Sequence, residues 1–362
     1  MDYGACELVE DIARDMYEKI FPTKRIGIYR KMLKLEKIVY KQLWGIRSIG
    51  IWGMPGIGKT TLAEAAFDQF SGDYEASCII KDFDKEFLAK GLYHLWNEYL
   101  GENINNSFIK SGQKRLLIVL DNVLKPLDAD AFLNGFDWFG PGSLIIITSR
   151  DKQVLVQCGV NQIYEVEGLN KDEAKQLLHG CAFGIDWRKQ SGLETLAPYY
   201  ISVKYFSGNP LALSLYEEML SHMKSDKMEV KLLKLNHPPP QIMEVFKSNY
   251  NALNENEKSM FLDIACFFRG EKADYVMQLF EGCGFFPHVG IYVLVDKCLV
   301  TIVKRKMEMH NLIQIVGKAI SNEGTVELDR HVRLWDTSII QPLLEDEETK
   351  LKGESKVCYE KC

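Results

Sequence analysis

Paired cysteines are missing from this sequence. Its nine cysteines (Cys6, Cys78, Cys158, Cys181, Cys266, Cys283, Cys298, Cys358, Cys362) form no CxxC, are odd in number and mostly stand inside apolar runs. That pattern argues against a disulfide scaffold and predicts mostly buried free thiols in a reducing compartment. Cys358 and Cys362 have no His or Cys cluster nearby to complete a metal site. No run approaches the ~18–20 apolar residues of a membrane span, so none is expected. The opening, Met1-Asp2-Tyr3-Gly4, has neither the basic start nor the apolar stretch of a secretory signal. A basic excess is absent too: the formal net charge is -6, which argues against DNA as the partner. The expectation is a soluble, cytoplasmic protein, with nuclear entry left open.

What is present is ordinary globular composition, 46% hydrophobic and 26% charged. A length of 362 residues suits two or three compact units. Residues 6–20 place Leu8, Ile12, Met16 and Ile20 four apart, predicting an amphipathic helix that Phe21-Pro22-Thr23 ends. A second helical stretch lies near 29–43. Short apolar runs then alternate with helical patterns: Ser48–Trp52, Ala76–Ile80, Leu116–Leu120, Leu144–Thr148 and Ile163–Val166. Strands apolar along their whole length are buried on both faces, as in a parallel sheet covered by helices. Residues 45–165 therefore read as a doubly wound α/β unit.

After Gly168 the strand signal stops. Residues 171–235 read as helices, broken at Ser207-Gly208-Asn209-Pro210 and ended by Pro238-Pro239-Pro240, a boundary or hinge. In 241–335, helical patterns precede a hairpin (Leu299–Val303, Met307–His310) and a helix over 312–320, which suggests a winged helix. The tail after Leu344 is charged and predicts disorder.

Gly53-Met54-Pro55-Gly56-Ile57-Gly58-Lys59-Thr60-Thr61 fits G-x-x-x-x-G-K-[ST] between a strand and a helix, the context that confirms a P-loop. Gly53, Gly56 and Gly58 let backbone N–H groups turn inward around phosphates, and the helix N-terminus adds partial positive charge. Lys59 is expected on the terminal phosphates and the Thr60 hydroxyl on Mg²⁺. Leu116–Asp121 puts a carboxylate at the end of a buried strand, where it can hold that Mg²⁺. Position 122 is Asn, which cannot take a proton from water. General-base catalysis typically supplies ~10²–10⁴-fold, so slow hydrolysis at most is expected. Arg150, ending the run from Gly142, reaches a γ-phosphate if its strand lies beside the P-loop strand; otherwise it is solvated or paired with Asp151. Asn311 is placed to cap the last helix, and His310 on its own reads as a packed or solvated imidazole.

The order of these motifs resembles the NB-ARC module of plant intracellular nucleotide-binding, leucine-rich-repeat immune receptors. The segments that carry the resemblance are GMPGIGKTT (53–61), LLIVLDNV (116–123), GSLIIITSRD (142–151), YEVEGLNKDEAKQLL (164–178), GNPLAL (208–213), FLDIACFF (261–268) and MHNLIQ (309–314). FLDIACFF is similar to the TIR-type class. The resemblance implies a linker helix over 1–24, an α/β P-loop NTPase domain over 25–167, a helical subdomain over 168–240, a winged helix over 241–336 and a charged tail over 337–362. It implies ADP at rest, with exchange for ATP opening the protein for self-oligomerisation or association with other receptor chains in defence signalling. Lys59, Thr60 and Thr61 would hold phosphates and Mg²⁺, with Asp121 on the metal and Arg150 on the γ-phosphate. Pro210 would meet the adenine, Ile26 and Ile28 the base or ribose, and His310 the β-phosphate. Two departures stand out: Asn122 replaces the family's second acid, and Met309-His310-Asn311 replaces its Met-His-Asp. With neither a TIR domain nor leucine-rich repeats in the sequence, the expectation is a fragment or a truncated relative.

Three functional classes stay open on sequence. One is a nucleotide switch. A second is a nucleotide-bound scaffold that works through full-length partners. The third is a DNA-binding regulator with Lys304-Arg305-Lys306 as a wing tip, against which that triplet is a solvated turn.

Overall fold

A computed structural model of the chain describes residues 26–41, 45–100, 114–133, 139–182, 206–221, 238 and 240–323. The helix expected over 6–20, much of 168–240 and the charged tail lie outside the described residues. The chain divides into two compact units. One is Met1–Trp187 with Gly208–Leu211; the other is Arg188–Ser207 with Ala212–Cys362.

Among the described residues the first element of this unit is α1 (Ile28–Val39), whose Ile28, Met32, Leu35 and Val39 recur at helical spacing and are buried. Strand β1 (Arg47–Trp52) leads through the P-loop into α2 (Lys59–Phe70). Then follow β2 (Ala76–Ile80), α3 (Phe83–Leu95), β3 (Leu116–Leu120), α4 (Pro126–Leu133), β4 (Leu144–Ser149), α5 (Lys152–Gln157), β5 (Gln162–Glu165) and α6 (Lys171–Ala182). All five strands are parallel, in the order β2-β3-β4-β1-β5. Every residue of β3 and β4 is buried, as strands covered on both faces require. The expected strands and the observed ones agree to within one residue at each end. Helices α1 and α2 pack on this sheet through Met32, Leu35, Leu62, Ala66 and Phe70 in a core shared with Ile51, Val119 and Ile146.

The order of strands matters more than their number. β4 sits between β1 and β3, with Trp52 level with Ser149 and Leu120 level with Ile147. The carboxyl end of β4 therefore lies between the P-loop and Asp121, at the edge where parallel sheets bind ligands. That meets the condition set for Arg150 by the sequence.

Helix α7 (Pro210–Ser221) begins with a proline, which needs no N–H in the first turn. In the second unit, α8 (Pro240–Asn251), α9 (Glu255–Asp263), α10 (Ala273–Gly282) and α11 (Pro287–Asp296) precede the hairpin β6 (Thr301–Val303) and β7 (Lys306–Glu308) and then α12 (Asn311–Glu323). Helix α9 starts on a reciprocal cap between Asn254 and Glu257 and ends in a π-turn over Ile264–Phe268. The hairpin is shorter than expected. Leu299 and Val300 instead donate to Leu294 O, closing the end of α11 after Cys298 takes a φ of 56°. Gly270 and Ala273 donate to Met307 and Arg305, so a third extended segment lines the wing. Cys78 and Cys158 are buried thiols and Cys266, Cys283 and Cys298 half-buried ones, and none of these five is in a disulfide. No helix among the described residues is long and apolar enough to cross a membrane.

Candidate functional site: the P-loop and its clamps

The loop between β1 and α2 is shaped by its glycines. Gly53, Gly56 and Gly58 have φ of 153°, 75° and 99°, which L side chains rarely adopt. Gly58 is the N-cap of α2 and offers no side chain, so the first-turn N–H groups are left without a side-chain cap. A phosphate is the natural partner for such a turn.

Three successive carbonyls of the loop are each held from outside. Asn209 Nδ2 donates to Pro55 O at 3.0 Å. Leu211 N donates to Gly56 O at 3.3 Å. Lys31 Nζ donates to Ile57 O at 3.1 Å. Peptide planes are rigid, so tying each carbonyl outward turns the following N–H the other way. The loop is thus preset as an anion cradle. Gly56 is confined as well: a Cβ there would lie 2.7 Å from Leu211 Cβ. Residues 208–211 are fixed in turn by Leu169 N donating to Gly208 O at 2.8 Å.

Lys59 is buried and its Nζ donates to Gly53 O (2.7 Å) and Met54 O (3.0 Å), folding it over the loop. Thr60 Oγ1 stands 3.0 Å from both carboxylate oxygens of Asp121, so the two expected Mg²⁺ ligands are adjacent. The Thr148 hydroxyl donates to Asp121 Oδ1 at 2.7 Å and accepts from Asn122 N at 2.8 Å. One buried threonine thereby orients both the acid and the backbone after it. These oxygen donors suit a hard divalent cation. Asn122 has a φ of 59° and its amide donates to Asp82 Oδ1 at 3.2 Å. Asp84, buried, accepts from Leu124 N (2.6 Å) and Lys125 N (3.1 Å), fixing the turn into α4; burial raises its pKa. Arg150 is half-buried; burial lowers its pKa, and Asp82 and Asp121 act against that.

The structure thus brings Gly53, Gly56, Gly58, Lys59, Thr60, Thr61, Asp121 and Arg150 to one edge of the sheet. Pro210 opens α7 beside the clamp residues Asn209 and Leu211. Ile26 is half-buried, and Ile28 is 3% exposed and part of the core under α1. Sequence reasoning missed Lys31, Asp82 and Thr148 and gave Asn209 no role. Lys31 did carry a signal, being a lysine three residues after Ile28 on the apolar face of α1.

His310 belongs to the second unit, and its surroundings there are specific. Nδ1 accepts from Leu312 N at 3.2 Å, which leaves the proton on Nε2, 3.0 Å from Phe206 O. His310 O also accepts from Gln314 N. The N-cap of α12 is therefore His310 rather than Asn311, because the imidazole sits within reach of the second N–H of the helix. Burial pushes the His310 pKa down to about 4, helped by the positive charge of Arg269.

Residues 32–186 match the NB-ARC domain, and residues 254–325 match the winged-helix domain described as Roq1-like, of disease resistance proteins. The chain is 52% identical over 98% of its length to the disease resistance protein RRS1 of Arabidopsis thaliana, covering 26% of that protein. It is 51% identical to RRS1B of the same plant, over 98% of this chain and 26% of that one. With RUN1 of Vitis rotundifolia the identity is 33%, over 96% of this chain and 27% of that one. The chain thus spans about a quarter of the length of these curated relatives. Among solved structures, the Walker-type ATPase PABY2304 of Pyrococcus abyssi shares the fold, with a TM-score of 0.52 at 11% identity over 81% of this chain and 95% of that one. By these matches the chain holds an NB-ARC domain followed by a Roq1-like winged-helix domain, and over nearly its whole length it is similar to part of the disease resistance proteins of plants.

Proposed function

We propose that this chain is the ADP/ATP-dependent switch module of a plant immune receptor, in which the identity of the bound nucleotide sets the conformation and so controls defence signalling. The observation that carries this reading is the preset P-loop. Three consecutive carbonyls are tied outward, and Lys59, Thr60 and Asp121 converge at the open turn of α2. Backbone N–H groups of Gly58 to Thr61 and the Lys59 ammonium hold the phosphates. Thr60 and Asp121 are the side chains that fit Mg²⁺, which on binding offsets phosphate charge. Arg150 faces the terminal phosphate, and Pro210 with Ile26 and Ile28 lies on the side of the base. The part of His310 in meeting a phosphate rests on the resemblance alone. The working boundaries are 25–167 for nucleotide binding, 168–240 for the helical subdomain and 241–336 for the winged helix.

Hydrolysis is slow at most in this reading, since Asn122 supplies no base and its amide is spent on Asp82. That same observation favours a second reading, a scaffold that keeps one nucleotide and acts through other receptor chains. Titration of nucleotide-free protein with ADP, with and without Mg²⁺, tests the common ground. Mg²⁺-dependent binding that Lys59→Ala abolishes supports both readings; folded wild-type protein that binds neither ADP nor ATP overturns both. Exchange of bound ADP for ATP with a change in hydrodynamic radius selects the switch. An inert, non-exchanging nucleotide selects the scaffold.

A further inference from the structure

Lys31 is a lysine where a lysine is costly. It stands on the core-facing side of α1 and is only 2% exposed. Among the described residues, the Ile57 carbonyl is its one hydrogen-bond partner, so two of its three N–H groups are unused. Its Nζ would lie 3.7 Å from a Cβ placed on Gly58, the N-cap of α2. A helix N-terminus carries partial positive charge, so a buried ammonium there is a like charge against the dipole. The nearby carboxylates are already engaged. Glu173 accepts from Arg30 at 2.9 Å, and Glu167 accepts from Arg30 and Lys34 at 2.7 Å each. The groups that act on Lys31 are Glu173 and Glu167 from the β5–α6 side, which favour its charge, and Arg30 on its own helix, which opposes it. Lys59, the lysine of the loop itself, keeps its ammonium on Gly53 O and Met54 O. With those carboxylates shared with Arg30 and Lys34, the Lys31 ammonium is under-compensated by its protein surroundings.

We propose that Lys31 is a second cation of the nucleotide site, a positioning residue that holds the Ile57 carbonyl outward and balances the charge of the bound phosphates from beneath the P-loop. The inference rests on the reading that the P-loop holds a nucleotide, and it assigns the anionic part of that ligand to a residue no motif includes. A purely structural lysine would serve equally with or without an anion above it. An electrostatic one is felt only by ligands that carry phosphate.

Burial pulls the Lys31 pKa down to about 8 in the free protein. The sign follows: phosphate favours the charged form, so binding takes up a proton above that pH and affinity falls as pH rises. The terminal phosphate of ADP, with a pKa of about 6, is fully ionised from pH 7.5 upward and adds nothing to the trend.

The test uses the 362-residue chain, stripped of nucleotide, with ADP and adenosine as probes in calorimetric or fluorescence titrations. Lys31→Met is expected to weaken ADP at least about tenfold while leaving adenosine within twofold, and Lys31→Arg to restore most of the loss. In the wild type, ADP affinity is expected to drop roughly four- to eightfold between pH 7.5 and 9, with proton uptake seen as a dependence of the heat on buffer ionisation. Lys31→Met removes that slope. Equal loss of ADP and adenosine in Lys31→Met would overturn the proposal in favour of a structural role, and so would a flat wild-type pH profile, which can be read even if the variant fails to fold. Failure of folded wild-type protein to bind ADP at pH 7.5 would instead sink the nucleotide reading itself.

Discussion

Acid sensitivity of His310 can be worked out from its contacts. The neutral ring uses both nitrogens, accepting at Nδ1 from Leu312 N and donating from Nε2 to Phe206 O. Protonation puts a hydrogen on Nδ1 facing another N–H, which removes the cap of α12 and leaves a buried cation near Arg269. The folded pKa of about 4 lies below the ordinary 6.5. A depressed pKa means the unfolded chain takes up the proton first. The contribution to stability is therefore fully present above pH 6.5 and is lost as pH falls toward 4. The full shift is worth about 3 kcal/mol, of which about 2 kcal/mol is gone at pH 5. Gln in place of His310 keeps a donor for Phe206 O but cannot titrate. Urea unfolding at pH 7 and pH 5, followed on the transition of the second unit, is the assay. The stability gap between wild type and His310→Gln is expected to shrink by about 2 kcal/mol on going to pH 5. A gap that stays constant would refute the assignment of a neutral, doubly bonded imidazole.

Other expectations follow from single contacts. Thr148→Val keeps shape but strips Asp121 of a donor and Asn122 N–H of its acceptor, which should cost about 1–3 kcal/mol in thermal unfolding and weaken Mg²⁺-dependent ADP binding. Unchanged values on both counts would remove Thr148 from the site. Gly208→Ala would place a Cβ 2.1 Å from Leu169 O at a φ of +70°, so it should cost about 3 kcal/mol or more. Gly159→Ala, at a φ of +66° with open space around it, should cost only about 1–2 kcal/mol by the same assay. Asn122→Asp restores a carboxylate beside Asp121 and should raise single-turnover ATP hydrolysis about 10²-fold or more. A rate no different from wild type would show that the missing acid is not what limits the chemistry.

The sheet was legible because strands buried on both faces are written as unbroken apolar runs, as in Leu116–Leu120 and Leu144–Thr148. Gly53 to Thr61 was legible because phosphate binding needs glycines at fixed positions. What stayed hidden are contacts between segments far apart in the chain. Nothing local in Ser207-Gly208-Asn209-Pro210 shows that Asn209 bonds to Pro55; a helix break was all it could show. Lys31 is hidden differently, because a lysine on an apolar face is usually read as a snorkelling side chain. The cap of α12 was misplaced by one residue because Asn is the commoner cap, and only the geometry of His310 brings Nδ1 onto Leu312 N–H. The start of the first hairpin strand goes to the closing turn of α11, where Leu299 and Val300 donate to Leu294 O instead of joining the ladder.

The central claim is that the P-loop holds an adenine nucleotide whose identity marks the state of the protein. Its most direct test is to purify the chain and its Lys59→Ala variant, denature both, and identify the released nucleotide by chromatography. Near-stoichiometric ADP from the wild type and none from the variant is the predicted result. Folded wild-type protein that releases no nucleotide and takes none up when ADP and Mg²⁺ are supplied would contradict it.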